Sequence, residues 1–138
     1  QMFISRNNNT DGYRMQVSSV NKISFEIEEN GNIINALTGS AISADTWYHV
    51  VGTFDGDPDN DGTGEVKLYL DTNLEDTDAN SNDMDAASSV DGLTIGRHNS
   101  SGASEGFFGE IDDLCIYNDV LELAEVKRNY NAGKRSHR

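Results

Sequence analysis

The chain has 138 residues, the usual size of one domain, and its 24 acidic and 10 basic side chains give a formal net charge of −14. Such a field repels nucleic-acid phosphates and anionic membranes, so we expect neither as a partner. No apolar run is long enough for membrane insertion. Hydrophobic residues make up 36% of the chain, a balance typical of strands with one buried and one solvated face.

Alternation of apolar and polar residues predicts strands along most of the chain. A strand-like Met2-Phe3-Ile4 follows Gln1 directly, and we expect the chain to be part of a longer protein with neighbouring domains. Apolar side chains at every second position predict one-sided strands over 13–17, 23–27 and 66–70. Clusters of Asn, Asp and Gly predict turns at 7–12, 29–31 and 99–102.

Two segments, 47–54 and 107–117, are apolar on both faces and are predicted to be central or covered strands. The single cysteine, Cys115, lies in the second of them, so we expect a buried, inert thiol. A single apolar stripe predicts one short helix over 122–131, with Gly133 as a left-handed stop. Many strands and one helix predict an all-β sandwich.

Four stretches together resemble the laminin-G-like domains of the concanavalin-A-like lectin/glucanase superfamily. They read DTWYHVVGTFDG (45–56), VKLYLD (66–71), LTIG (93–96) and FGEIDDLCIYN (108–118), and a helix ending YNAG follows them. The resemblance implies an antiparallel jelly-roll β-sandwich over residues 1–133 with one short C-terminal helix. It also implies a front edge that lacks one or two strands, and leaves 134–138 as a basic tail or linker.

The acidic stretch between the strands at 47–54 and 66–70 is the strongest candidate for a metal site. Oxygen-rich loops with alternate aspartates and a bend glycine suit calcium, which takes six to eight oxygen ligands. The pattern D-x-D-x-D-G starts like an EF-hand loop, but Leu68 stands at its twelfth position and a strand follows, so an EF-hand is rejected. Magnesium suits the stretch less well, and a solvated acidic loop is the alternative. The predicted calcium ligands are Asp55, Asp57, Asp59, Asp61 and Glu65.

Asp112 is a second candidate ligand, because laminarinase-type relatives place a calcium-binding aspartate just before the matching strand. The alternative is an aspartate paired with Arg97 or Lys67. A third acidic stretch, 75–85, lacks a bend glycine and regular spacing, and we expect a mobile surface loop there.

Three functions remain open on the sequence. Catalysis by the superfamily's glucanase chemistry is disfavoured, because Glu26 and Glu28 share a strand face without the rest of the E-x-D-x-x-E motif, and a wet strand surface explains them better. His49 and Trp47 correspond to structural residues of the sandwich. The resemblance therefore implies a non-catalytic, calcium-binding extracellular or cell-surface module that binds a glycan. The alternative is an adhesive module that binds an extracellular protein and uses calcium structurally.

Overall fold

The computed structural model describes residues 1–7, 11–56, 63–80, 92–98 and 106–134. Eight strands and one helix lie in these ranges, and the strands form two antiparallel sheets. The strands are β1 (Met2–Asn7), β2 (Gly12–Val17), β3 (Ile23–Glu29), β4 (Asn32–Leu37), β5 (Val50–Asp55), β6 (Gly64–Leu70), β7 (Asn73–Asn80) and β8 (Thr94–Ile95), and the helix is α1 (Leu123–Gly133). The predicted all-β jelly-roll sandwich with one short helix is confirmed.

The first sheet has five strands in the order β4-β3-β2-β1-β8. Its first four strands form a meander of antiparallel hairpins, and β8 joins the free side of β1 through Ile4 and Ser5. Asn30 and Gly31 close the β3–β4 hairpin with positive φ angles of 50° and 80°. Two consecutive left-handed residues match the right-handed twist of the flanking strands, which is why this Asn-Gly pair forms the turn.

The second sheet has three strands in the order β5-β6-β7. Asp71 and Thr72 join β6 to β7 with φ angles of 48° and 78°, again two left-handed residues in a tight turn. The carboxylate of Asp71 accepts the backbone N–H of His49 at 2.9 Å, and its own N–H donates to the His49 carbonyl at 2.9 Å. The β6–β7 turn is thereby fixed to the residue that precedes β5.

The core lies between the two sheets. It combines side chains of β3 and β4 with the buried Val66 and Leu68 of β6. Gly52 of β5 approaches the five-stranded sheet so closely that an added Cβ would lie 2.5 Å from Cγ of Phe25. The alternation predicted for 13–17, 23–27 and 66–70 is confirmed, since these segments form β2, β3 and β6 and turn apolar side chains inward.

Residues 107–117 differ from the prediction. No strand forms in this segment, although its sequence is apolar on both faces. Ile111, Leu114 and Ile116 are exposed, and Cys115 is exposed rather than buried. The physical reason is that a strand needs a hydrogen-bonded neighbour, and none of the described strands pairs with this segment.

Helix α1 runs two residues further than predicted and includes Gly133, so the predicted left-handed stop is wrong. The residue after the helix, Lys134, remains in the right-handed helical region with φ of −55°. At the other end, the N–H of Glu122 donates to the carboxylate of Glu125 at 3.2 Å, which satisfies a donor at the helix start. Among the described residues, no helix has the length and apolar character needed to cross a membrane.

Candidate functional site: the β5–β6 hairpin

The β5–β6 hairpin brings together the two ends of the predicted calcium loop. Asp55 and Glu65 are direct cross-strand partners at the open end of the hairpin. Just beyond them, Gly64 lies so close to the Gly56 carbonyl oxygen that an added Cβ would be 3.1 Å from it. Asp57, Asp59 and Asp61, the other three predicted hairpin ligands, fall outside the described residues.

Lys67 binds the carboxylate of Glu65 and would compete for it with a metal ion. Its ammonium forms an ion pair with Glu65, and its side chain is 36% exposed against 27% for that of Glu65. The hydrogen bond to Glu65 is the main reason that the pKa of Lys67 is raised, and the charge of Asp55 contributes to the same shift. A cation bound between Asp55 and Glu65 would therefore have to displace the Lys67 ammonium from Glu65 or share that carboxylate with it. This competition was not predicted from the sequence.

Asp112 lies apart from the hairpin in the sequence, on the exposed segment that forms no strand. Its carboxylate accepts the N–H of Asp113 at 2.8 Å. Lys67, one of the two partners considered for it, is held by Glu65 instead. Across the described ranges, no group of three or more His, Cys, Asp or Glu side chains is arranged to hold a metal ion.

The third acidic stretch is not the predicted loop over its first six residues, which belong to β7. Three of its carboxylates accept backbone N–H groups along the outer edge of β4 and just beyond it. Asp78 accepts from Asn35 at 3.0 Å, Asp76 from Leu37 at 3.0 Å, and Glu75 from Gly39 at 3.1 Å. These acids stabilise the sandwich by satisfying an open sheet edge. Residues 81–85 of the stretch fall outside the described residues.

Glu26 and Glu28 share a face of β3, as predicted, but that face is not wet. They are 7% and 8% exposed, and Arg14 from β2 lies between them, with Nε 2.6 Å from Glu26 and Nη1 3.6 Å from Glu28. Glu26 also accepts hydrogen bonds from Gln16 at 2.8 Å and Ser24 at 2.9 Å. A general acid must reach the glycosidic oxygen of the substrate. These two carboxylates are instead buried and bind to Arg14 and other polar side chains of the sheet.

This network belongs to a row of polar residues that was not predicted from the sequence. In the strand register, Ser5 of β1 pairs with Arg14, and Arg14 pairs with Glu26. The Ser5 hydroxyl is buried and has no hydrogen-bond partner within the part of the chain that the structure describes. The alternation of polar and apolar residues predicts a polar face for an individual strand. Only the cross-strand register shows that polar residues of β1, β2 and β3 lie side by side in one row.

Trp47 and His49 precede β5. Trp47 is 47% exposed, so the expectation of a structural indole buried in the sandwich is wrong. His49 is partly buried against α1, with its ring centroid 5.8 Å from that of Tyr130. Burial lowers the pKa of His49, and the negative charge of Asp71 partly offsets that effect. This environment fits the structural role predicted for the histidine.

A solved structure and a family model are similar to the chain. The chain is similar over 94% of its length to a crystal structure of residues 221–444 of an S-layer domain-containing protein from Clostridium thermocellum, with 23% sequence identity and a TM-score of 0.49. It spans 62% of that structure. No curated protein matches the chain. The Laminin_G_3 family model, described as the concanavalin A-like lectin/glucanases superfamily, matches residues 1–127. The chain therefore belongs to the laminin-G-like family of the concanavalin A-like lectin/glucanase superfamily.

Proposed function

We propose that this chain is a non-catalytic recognition module of a secreted or cell-surface protein, which binds calcium at the tip of the β5–β6 hairpin and a carbohydrate as its ligand. The observation that carries the calcium proposal is the register of that hairpin. Asp55 and Glu65 face each other across it, and the alternating aspartates at 57, 59 and 61 lie between them in the sequence.

The chemistry of the donor set supports calcium. Two carboxylates at the base of a short acidic connection supply hard oxygen ligands, and aspartates and backbone carbonyls within the connection supply the others that calcium requires. The ion would neutralise carboxylates that otherwise repel each other at the end of one hairpin. Calcium has looser geometric demands than magnesium, which favours it in a ligand set drawn from one short loop.

Membership of a lectin/glucanase superfamily supports a carbohydrate ligand, and the state of Glu26 and Glu28 supports recognition over hydrolysis. Both carboxylates are buried and contact Arg14. Retaining and inverting glycosidases instead use two carboxyl groups that flank the bond to be cleaved. The measured release of reducing sugar from a β-glucan would contradict the non-catalytic assignment.

The calcium site is tested by calorimetry on the Asp59→Ala/Asp61→Ala double variant. We expect it to lose at least tenfold in calcium affinity, because each substitution removes a carboxylate ligand. A control with the same change of charge is Glu110→Ala/Asp119→Ala, which alters two acids outside the hairpin. Equal calcium affinity in the two double variants would remove the hairpin from the proposal.

Lys67→Gln provides a test with the opposite expected sign. Removing the ammonium frees Glu65 and deletes a positive charge beside the proposed site. Ion pairs at this degree of exposure contribute up to about 1 kcal/mol, so calcium affinity should rise by up to about fivefold. A fall in affinity would contradict the participation of Glu65.

The carbohydrate ligand is tested on a glycan array with calcium and again with a chelator. Calcium-dependent glycan binding supports the proposal as a whole. If no glycan binds and the chelator lowers the melting temperature, calcium stabilises the module without taking part in sugar recognition, and an adhesive role follows.

A further inference from the structure

Among the strands that the structure describes, β5 forms one edge of its sheet, and the register shows which way its unpaired backbone groups point. The N–H of Asp71 donates to the His49 carbonyl, and the N–H of His49 donates to the Asp71 carboxylate. These two residues therefore form a hydrogen-bonded pair at the start of the β5–β6 ladder. Because hydrogen-bonded pairs alternate along an antiparallel ladder, Val50, Gly52 and Phe54 direct their N–H and C=O groups away from β6. These groups line an open edge of the three-stranded sheet.

A large groove lies along this edge. Its volume is about 1200 Å³, and it is lined by β5, by residues 110–121 and by inward-facing side chains of the five-stranded sheet such as Met15 and Phe25. A six-residue strand has a rise of about 3.3 Å per residue, a spacing of about 4.8 Å and a depth of about 10 Å, and so occupies roughly 1000 Å³. The groove therefore has room for one extended strand.

Residues 114–118, which also line the groove, have the chemistry of a strand without a partner. Residues 114–118 make no backbone–backbone hydrogen bond with any part of the chain that the structure describes. Leu114 and Ile116, which line the groove, are 43% and 58% exposed. Unpaired backbone groups and exposed apolar side chains along a groove are the features that a sheet edge presents to an added strand.

Charge identifies the kind of strand that fits. Lys134 is the lysine among the residues that line the groove, and the acids among them are Asp71, Glu110, Asp112, Asp113 and Asp119. A second copy of the chain would bring another net charge of −14 to this acidic surface, which electrostatic repulsion disfavours. A basic segment would be attracted to it.

We propose that this groove binds an extended polypeptide segment from outside these 138 residues, apolar at alternate positions and lysine- or arginine-rich at the others. The segment pairs with β5 on one side and with residues 114–118 on the other, and the three-stranded sheet becomes five-stranded. This inference does not depend on calcium or on carbohydrate binding.

The test uses a nine-residue peptide that alternates valine and lysine and is blocked at both ends, with the whole chain in chelator so that calcium has no part in the result. At saturation, we expect hydrogen exchange of the amides of Val50, Gly52, Phe54 and residues 114–118 to slow at least tenfold. A peptide with glutamate in place of lysine should bind at least tenfold more weakly. A peptide with proline at every other position should not bind, because it lacks the N–H groups needed for pairing.

A pair of matched variants locates the binding site. Ile116→Asp adds a charge to the groove wall at a side chain that is already 58% exposed, and should weaken peptide binding at least tenfold. Ile33→Asp makes the same change at a side chain on β4 that is 47% exposed and does not line the groove, and should leave binding unchanged.

Three results would overturn the proposal. One is equal peptide binding by the two variants. Another is strong protection of the Val50, Gly52 and Phe54 amides without peptide, which would mean that the groove closes on itself. The third is concentration-dependent dimerisation that Ile116→Asp abolishes, which would make a second copy the occupant.

Discussion

His49 links the three-stranded sheet to the C-terminal helix. Its backbone is held by Asp71, and its ring contacts that of Tyr130. Its Nδ1 is buried and has no hydrogen-bond partner among the described residues. An imidazole in this position is harder to protonate than one in water, because burial removes water from its charged form. The pKa of His49 is lowered below its ordinary value of 6.5 for that reason.

The sign of the resulting pH dependence follows from proton linkage. Because the unfolded chain binds the proton at a higher pH than the folded one, His49 makes the folded state less stable as the pH falls below about 6.5. We expect an NMR titration to give a pKa below 6.5 for this imidazole. Stability should also fall less between pH 7.5 and pH 5.5 in His49→Gln than in the unchanged chain. A measured pKa above 6.5 would mean that the charge of Asp71 outweighs burial.

At the scale of the secondary-structure elements, the β6–β7 turn contains backbone strain. Thr72 has φ of 78°, a region in which a β-branched residue is unfavourable by about 1–2 kcal/mol. Thr72→Gly should therefore stabilise the chain, by about 0.5–1 kcal/mol after the greater freedom of glycine in the unfolded state is included. Denaturant unfolding should show a higher midpoint with an unchanged slope.

The matched control for this change is Thr77→Gly, which alters an exposed threonine in the extended backbone of β7. There glycine relieves no strain and only increases the entropy lost on folding, so stability should fall. If both substitutions destabilise the chain by similar amounts, the turn stores no strain that glycine can relieve.

The elements also show which parts of the fold a sequence can predict. Strands β2, β3 and β6 alternate cleanly, and the sequence located them. Strand β4 was not predicted, because Ile33 and Ile34 are adjacent and the pattern breaks there; the first is exposed and the second is buried. Strand β7 was not predicted because its acids look like a loop. Their role depends on N–H groups of Asn35, Leu37 and Gly39, which are about forty residues away.

The segment 107–117 and the β5–β6 hairpin both show that a sequence pattern does not reveal which partners a residue or strand will have. An apolar pattern predicts that a segment can form a strand, but a strand also needs a partner, and residues 114–118 have none among the described strands. In the hairpin, the sequence located the candidate ligands Asp55 and Glu65. The ion pair between Glu65 and Lys67 could not be predicted. A charged side chain on a strand face can contact residues of the same strand or of either neighbouring strand, and the sequence does not show which contact forms.

For the whole molecule, the excess of acidic side chains dominates the long-range electrostatic contribution to folding stability. Charges that are not locally paired repel each other across the folded chain, and the repulsion weakens as the Debye length falls from about 10 Å at 0.1 M salt to about 3 Å at 1 M. With a net charge of −14, we expect the melting temperature to rise by about 4 °C or more over this range of sodium chloride, equivalent to roughly 1 kcal/mol.

Calcium separates general screening from specific binding in the same measurement. At matched ionic strength, calcium chloride should raise the melting temperature further than sodium chloride if the β5–β6 hairpin binds the ion, and this excess should disappear in Asp59→Ala/Asp61→Ala. A flat response to sodium chloride would contradict the prediction of unrelieved repulsion. It would mean that local contacts such as those of Asp76 and Asp78 with the β4 edge, and of Glu26 with Arg14, already compensate most of the acidic charge.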